Sequence, residues 1–140
     1  MTGEIVRPAE LASLPALVEH ALAACKRAGL DTETTYAVRL AVEEVAMNLI
    51  EHGYAGRAPG PIGLSVDASS ERVVVTIEDQ APPFDPVSTT APDLGAPLDE
   101  WRPGGLGLHL VRRLVDDVRY ESRPDGNCLT LVKLAGKRGA

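Results

Sequence analysis

Apolar residues recur along this chain with two different periods. In "SLPALVEHALAACKRAG" they fall at Leu14, Leu17, Val18, Ala21, Leu22 and Cys25, the three-and-four spacing of one helical face. Ser13 reads as the N-cap of that helix, Pro15 sits in its first turn, and Gly29 supplies the C-cap. Leu30 and Asp31 open a second helix whose seam is Val38, Ala41, Val42, Val45 and Leu49, closing at Gly53. After a turn at "AGRAPGP" the period drops to two in "IGLSVDAS" and "RVVVTIED", which predicts two strands joined around Ser70 and Glu71. A third helix begins at Gly105 with Leu108, Val111, Leu114, Val115 and Val118 as its seam. The strands "DVRYES" and "CLTLVKLA" follow, with "RPDGN" as their hairpin turn, and the opening "EIVRP" is a short strand ended by Pro8. The order β-α-α-β-β-loop-α-β-β, with hairpins on both sides of the loop, predicts an α+β fold. It is a two-layer α/β sandwich with an antiparallel or mixed, mostly antiparallel, sheet and helices on one face.

Between Gln80 and Gly104 both periods vanish. Six of the eleven prolines fall in this stretch, making it a loop of about 25 residues, a length that compact domains reserve for lids and binding loops. The 140 residues suit one domain, 1–140, with a lid at about 80–104. The 44 % hydrophobic and 24 % charged composition is that of a globular chain. A net charge of −6 and a pI near 5.0 disfavour direct nucleic-acid binding. Arg112 and Arg113 read as a solvated helix face. No apolar run approaches the length of a membrane span, and no leader is visible, so a cytoplasmic protein is expected. Cys25 and Cys128 lie in apolar settings and read as core or near-core thiols of a reduced compartment. His20, His52 and His109 follow no zinc-binding spacing.

The second helix contains "EEVAMNLIEHGY", residues 43–54, in which Glu44, Asn48 and His52 recur every four residues. They stack on one face, about 60° from Ala41 and about 100° from Val45, beside the buried seam. Glu43 does not share that face. Asn48 can offer a neutral oxygen to Mg²⁺ beside phosphate oxygens, without the repulsion of a second carboxylate. Glu44, one turn back, is placed to accept a proton from a hydroxyl or a water attacking a phosphoryl group; the alternative is a solvated helix residue. His52 either contacts phosphate or caps the helix end, where a histidine is electrostatically comfortable.

Asp79 ends the strand "RVVVTIED", where a carboxylate either accepts from an exocyclic amine such as adenine N6 or forms an Asx-turn into the loop. "GGLGLH", residues 104–109, stands between the long loop and the third helix. Glycines there let the backbone approach an anion at the helix's free N–H groups, or else serve as the hinge of the lid. The spacing is neither a dinucleotide-binding nor a Walker A fingerprint.

Taken in order, these segments resemble the GHKL (Bergerat-type) ATPase fold, in particular its small branch of anti-sigma-factor serine/threonine kinases, the RsbW/SpoIIAB-like proteins. "EEVAMNLIEHGY" is similar to that family's N-box, "EDQAPPFDP" to its G1 box and "GGLGLHLVRRLVDDVRYE" to its G2 box. The resemblance implies Glu44 as general base, Asn48 as the Mg²⁺ residue, and ATP contacts from Asn48, His52, Asp79, Gly105 and Gly107, with Leu106 and Leu108 between and beside those glycines. Ala81 stands where the family carries the glycine of Asp-x-Gly. Arg102 lies near the place of a γ-phosphate arginine, and Thr130 is the one threonine of the last strand, either part of the adenine network or a sheet residue. The implied partners are an anti-anti-sigma antagonist protein, a sigma factor and a second copy of the chain. Three other readings compete: a catalytically silent ATP-gated binding module, the ATP-binding domain of a histidine kinase acting on a separate phosphotransfer protein, and an interaction protein with a dead nucleotide site.

Overall fold

The computed structural model describes residues 2–54, 58–82 and 105–136, with backbone alone for Thr2 and for residues 105–109. Strand β1 (Thr2–Pro8) leads through a single 3-10 turn (Leu11–Ser13) into helix α1 (Leu14–Arg27), then α2 (Thr32–Asn48), β2 (Pro61–Ala68), β3 (Arg72–Asp79), α3 (Gly105–Leu114), β4 (Asp117–Arg123) and β5 (Gly126–Leu134). The sheet runs β1-β2-β3-β5-β4, and every described pairing in it is antiparallel. The fold is therefore α+β, a helical layer on a five-stranded sheet, as the order of elements predicts.

Local chemistry explains the helix boundaries. Asp31 accepts the Thr34 N–H at 3.0 Å and the Thr34 hydroxyl at 2.6 Å, a complete N-cap for α2. Gly29 adopts φ +71°, the left-handed turn that ends α1, and Leu30 N–H returns to the Cys25 carbonyl at 3.1 Å. Ser13 occupies the N-cap position of α1 but makes no side-chain cap, because the preceding 3-10 turn already carries the chain in helical conformation. Helix α3 stops at Leu114, and Val118, expected on its seam, belongs to β4. The reason is that Asp116 already binds the sheet, its N–H donating to Val132 O at 2.8 Å and its carboxylate accepting Leu134 N–H at 2.7 Å.

Alternation decides which sheet face is covered. Ile62, Leu64, Val66 and Ala68 of β2, Val73, Val75 and Ile77 of β3, and Leu129 and Leu131 of β5 are all buried. They form one core with Leu17, Val18 and Ala21 of α1, Val38, Val42 and Val45 of α2, and Val111 of α3. Each large aliphatic side chain fully withdrawn from water contributes about 1.5–3 kcal/mol. Cys25 lies in this core; Cys128 is buried too, but its place in β5 puts it on the other sheet face, and both thiols are free. Arg112 and Arg113 are exposed. Among the described residues, no helix is long and apolar enough to cross a membrane.

Connectivity brings four chain ends to one end of the sheet. The last residues of β3 pair with the first of β2 and of β5, with Asp79 opposite both Ile62 and Asn127. The end of α2 is held there through Tyr54, whose hydroxyl bonds the start of β2 and the residue after β3. Helix α3 delivers its C-terminus to the start of β4, which pairs with the far end of β5.

Candidate functional site

On α2 the two adjacent glutamates part company. Glu43 is tied to Arg39 in an exposed pair at 3.0 Å, one turn apart. Glu44 is half-buried, and among the described residues no side-chain hydrogen bond or ion pair engages its carboxylate. One turn on, Asn48 is buried, 9 % exposed, and its Nδ2 donates to the Glu44 backbone carbonyl at 3.2 Å. That bond uses the amide nitrogen on the helix itself and leaves Oδ1 as the end able to accept or to ligate a hard cation.

Beyond Asn48 the helix widens into a π-turn over Leu49–Gly53. A π-turn has more residues per turn than an α-helix, which changes the angle of the four-residue step from Asn48 to His52. His52 is exposed, its Nε2 3.7 Å from Glu51, whereas Asn48 is buried. Tyr54 follows, 7 % exposed, and its hydroxyl donates to Pro61 O and accepts Gln80 N–H, both at 2.7 Å. This one side chain locks the end of the Glu44–Asn48 helix to the strand end that carries Asp79.

At Asp79 the Asx-turn is formed. Oδ1 accepts the Ala81 N–H at 2.9 Å, an Asx-turn, and also Asn127 Nδ2 at 2.8 Å. The Asx-turn thus occupies one oxygen, and among the described residues no hydrogen bond engages Oδ2. Burial pushes the Asp79 carboxyl above the ordinary aspartate range, opposed by the bonds from Asn127 and Ala81. A folded-state pKa raised above the unfolded one gives stability that is full below the unfolded value, about 4, and is lost as pH rises through the folded value. At neutral pH the buried charge therefore costs stability. Asp79→Asn is expected to raise the ligand-free unfolding midpoint at pH 7, with the gain shrinking as pH falls toward about 4. Thermal unfolding of both proteins across that range checks it, and subtracting the two curves removes the opposite contribution of the Asp31 cap, whose carboxyl is held low by Thr34.

Ala81 is 3 % exposed and belongs to the core cluster, and a Cβ placed on Gly53 would stand 3.8 Å from its methyl. The methyl is thus packed at the end of α2. Gly105, Leu106, Gly107 and Leu108 form the first turns of α3, as expected for the helix start. Thr130 is not brought to the site. Asp79 pairs with Asn127, and side chains alternate, so Thr130 three residues on lies on the opposite sheet face. Arg102 and the stretch 83–104 lie outside the described residues. Asn127 and Tyr54 are the residues that sequence reasoning passed over. A signal existed for each, a polar residue opening an apolar strand and an aromatic closing the polar stripe, but neither carries meaning without the β3–β5 register.

Comparison with known proteins follows from this geometry. The sequence profile of the family described as "Histidine kinase-like ATPase domain" matches residues 7–133. The serine/threonine-protein kinase BtrW of Bordetella bronchiseptica is 30 % identical over 97 residues, covering 69 % of this chain and 68 % of its own. The serine-protein kinase RsbW of Staphylococcus epidermidis is 30 % identical over 117 residues, covering 79 % and 72 %. Among solved structures, the RsbU and RsbW domains of Rv1364c from Mycobacterium tuberculosis superpose with a TM-score of 0.69 at 18 % identity, over 98 % of this chain and 33 % of that one. That likeness is one of fold.

Proposed function

This chain belongs to the histidine kinase-like ATPase domain family and is related to the RsbW-type kinases, and from that premise we propose that it is an Mg-ATP-dependent serine/threonine kinase acting on a small antagonist protein. The observation that supports the reading is that Tyr54, just beyond the helix carrying Glu44 and Asn48, bonds the strand ends beside Asp79, which itself is held by Ala81 and Asn127; the start of α3 is taken to complete the site. Each supplies a different need of a nucleotide triphosphate. Asp79 Oδ2 accepts from the adenine amine. The free N–H groups at Gly105 and Gly107 meet phosphate. Asn48 Oδ1 suits a magnesium ion that keeps most of its ligands from phosphate and water, and the ion's chemistry when bound is to offset negative charge on the phosphates. His52, exposed at the π-turn, remains in reach of the same solvent edge.

In the reaction, the Glu44 carboxylate accepts the proton of the partner's hydroxyl. The hydroxyl oxygen bonds to the γ-phosphorus as the bond to the β,γ-bridging oxygen breaks, leaving ADP and a phosphoester. The partner is an anti-anti-sigma type domain, with a sigma factor as the second, competing partner and the chain acting as a homodimer. Positioning and electrostatics supply most of the rate enhancement in phosphoryl transfer, which suits a site with one base and many donors.

Calorimetric titration tests the binding step. Mg-ATP is expected to bind, chelation of Mg²⁺ to weaken it, and Asp79→Asn to cost about 10–100-fold by turning a donor toward the adenine donor. Absence of any heat at millimolar nucleotide would overturn the nucleotide reading. Binding without phosphoryl transfer to any antagonist would leave an ATP-gated regulatory module in its place.

A further inference from the structure

Asn127 sits in β5 directly opposite Asp79 and is 5 % exposed. Its Nδ2 donates to Asp79 Oδ1 at 2.8 Å and reaches the carbonyls of Ala81 and Pro82, each at 3.2 Å. Its Oδ1 accepts the hydroxyl of Tyr120. These partners define the amide's orientation, since reversing it would set its oxygen against a carboxylate and two carbonyls and its nitrogen against a donor. Asp79 Oδ1 is then doubly engaged, by Asn127 and by the Ala81 N–H, and two bonds from different directions fix the tilt of the carboxylate plane.

We propose that Asn127 is a positioning residue that sets base specificity at the nucleotide site, by holding Asp79 so that a single bare acceptor faces the base, with Tyr120 holding Asn127 in turn. The inference rests on the nucleotide reading above and adds to it a residue that touches no ligand. A purine with a 6-amino group brings a donor to that acceptor and is favoured; one with a 6-oxo group brings an acceptor and is rejected; one with hydrogen at position 6 brings nothing. Without Asn127 the carboxylate keeps only its Asx bond, and its plane is free to tilt away from the direction the base needs. The ligand then meets a less defined acceptor, at the cost of selectivity more than of overall affinity. Burial favours the device: a misplaced carboxylate in a half-dry site has little water to compensate it.

The test is titration of the full chain with ATP and with purine riboside triphosphate, which lacks only the 6-amino group. Wild type is expected to favour ATP by about 10-fold or more, the worth of one charge-assisted hydrogen bond. Asn127→Ala should shrink that ratio to about 3-fold or less while leaving the analogue's affinity nearly unchanged, and Tyr120→Phe should move it the same way by a smaller factor. In an Asp79→Asn background, Asn127→Ala should leave the ratio unaltered. A purely structural Asn127 would weaken both nucleotides alike and keep the wild-type ratio, which overturns the inference while the nucleotide reading stands. A wild type that binds the two nucleotides equally overturns the inference while nucleotide binding stands, and one that binds neither overturns the nucleotide reading. Near-UV circular dichroism confirms folding, and if Asn127→Ala fails to fold, an unchanged ratio in Tyr120→Phe overturns the proposal.

Discussion

Glu44→Gln is expected to leave Mg-ATP affinity within a few-fold of wild type while cutting phosphoryl transfer to an antagonist protein by about 10²–10⁴. The substitution keeps the side chain's length and one carbonyl oxygen but removes the proton acceptor. Because no described neighbour engages the Glu44 carboxylate, the fold has no packing or ion-pair reason to resent the change. Asn48→Ala should behave differently. It removes both the Mg²⁺-facing oxygen and the bond to the Glu44 carbonyl, so binding and transfer fall together, the pattern of a group that acts in ground state and transition state alike. Transfer of label from γ-labelled ATP, measured beside calorimetric affinity for both variants, separates the two. If Glu44→Gln transfers phosphate as fast as wild type, Glu44 is not the base. The neighbouring Glu43, paired with Arg39 on the surface, serves as control, and Glu43→Gln should change neither quantity.

The second large effect is one of stability. A Cβ on Gly126 would stand 1.9 Å from the Asp79 carbonyl oxygen and 2.9 Å from its carbon. Both obstacles are backbone, at the end of the β3–β5 ladder that carries Asp79, so no rotamer change relieves the contact. Gly126→Ala should therefore cost about 2–4 kcal/mol and lower the unfolding midpoint by roughly 6–15 °C. It should also weaken nucleotide binding, because any shift that accommodates the methyl displaces Asp79. Gly63, in the neighbouring strand, gives the contrast. Its added Cβ would meet only Glu78 at 3.9 Å, ordinary contact, and Gly63→Ala should stay within about 0.5 kcal/mol of wild type. Equal stability of the two variants would mean that the strands do not approach so closely at Gly126.

The amino-acid sequence by itself determined the elements and their order. Helical spacing from Leu14 to Cys25 and from Val38 to Leu49, strict alternation in β2 and β3, the Asp31 cap and the Gly29 stop each act over a few residues, and local chemistry of that kind is written in one segment at a time. Helical phase alone also separates the faces of Glu44 and Glu43, and Asp79 closes its strand where the alternation ends. The stripe's four-residue period presumes an α-helix throughout, whereas a π-turn over Leu49–Gly53 lies between α2 and Tyr54, whose hydroxyl reaches both Pro61 and Gln80. Tertiary structure alone decided the cross-strand register. Residues 79 and 127 are 48 apart, and only their pairing reveals that Asn127, and not Thr130, stands beside Asp79. A shift of one residue would have reversed the answer, since side chains alternate faces. Ala81 shows the same division. Sequence marks it as a departure from glycine, but its neighbours settle where its methyl goes: into the core at the end of α2.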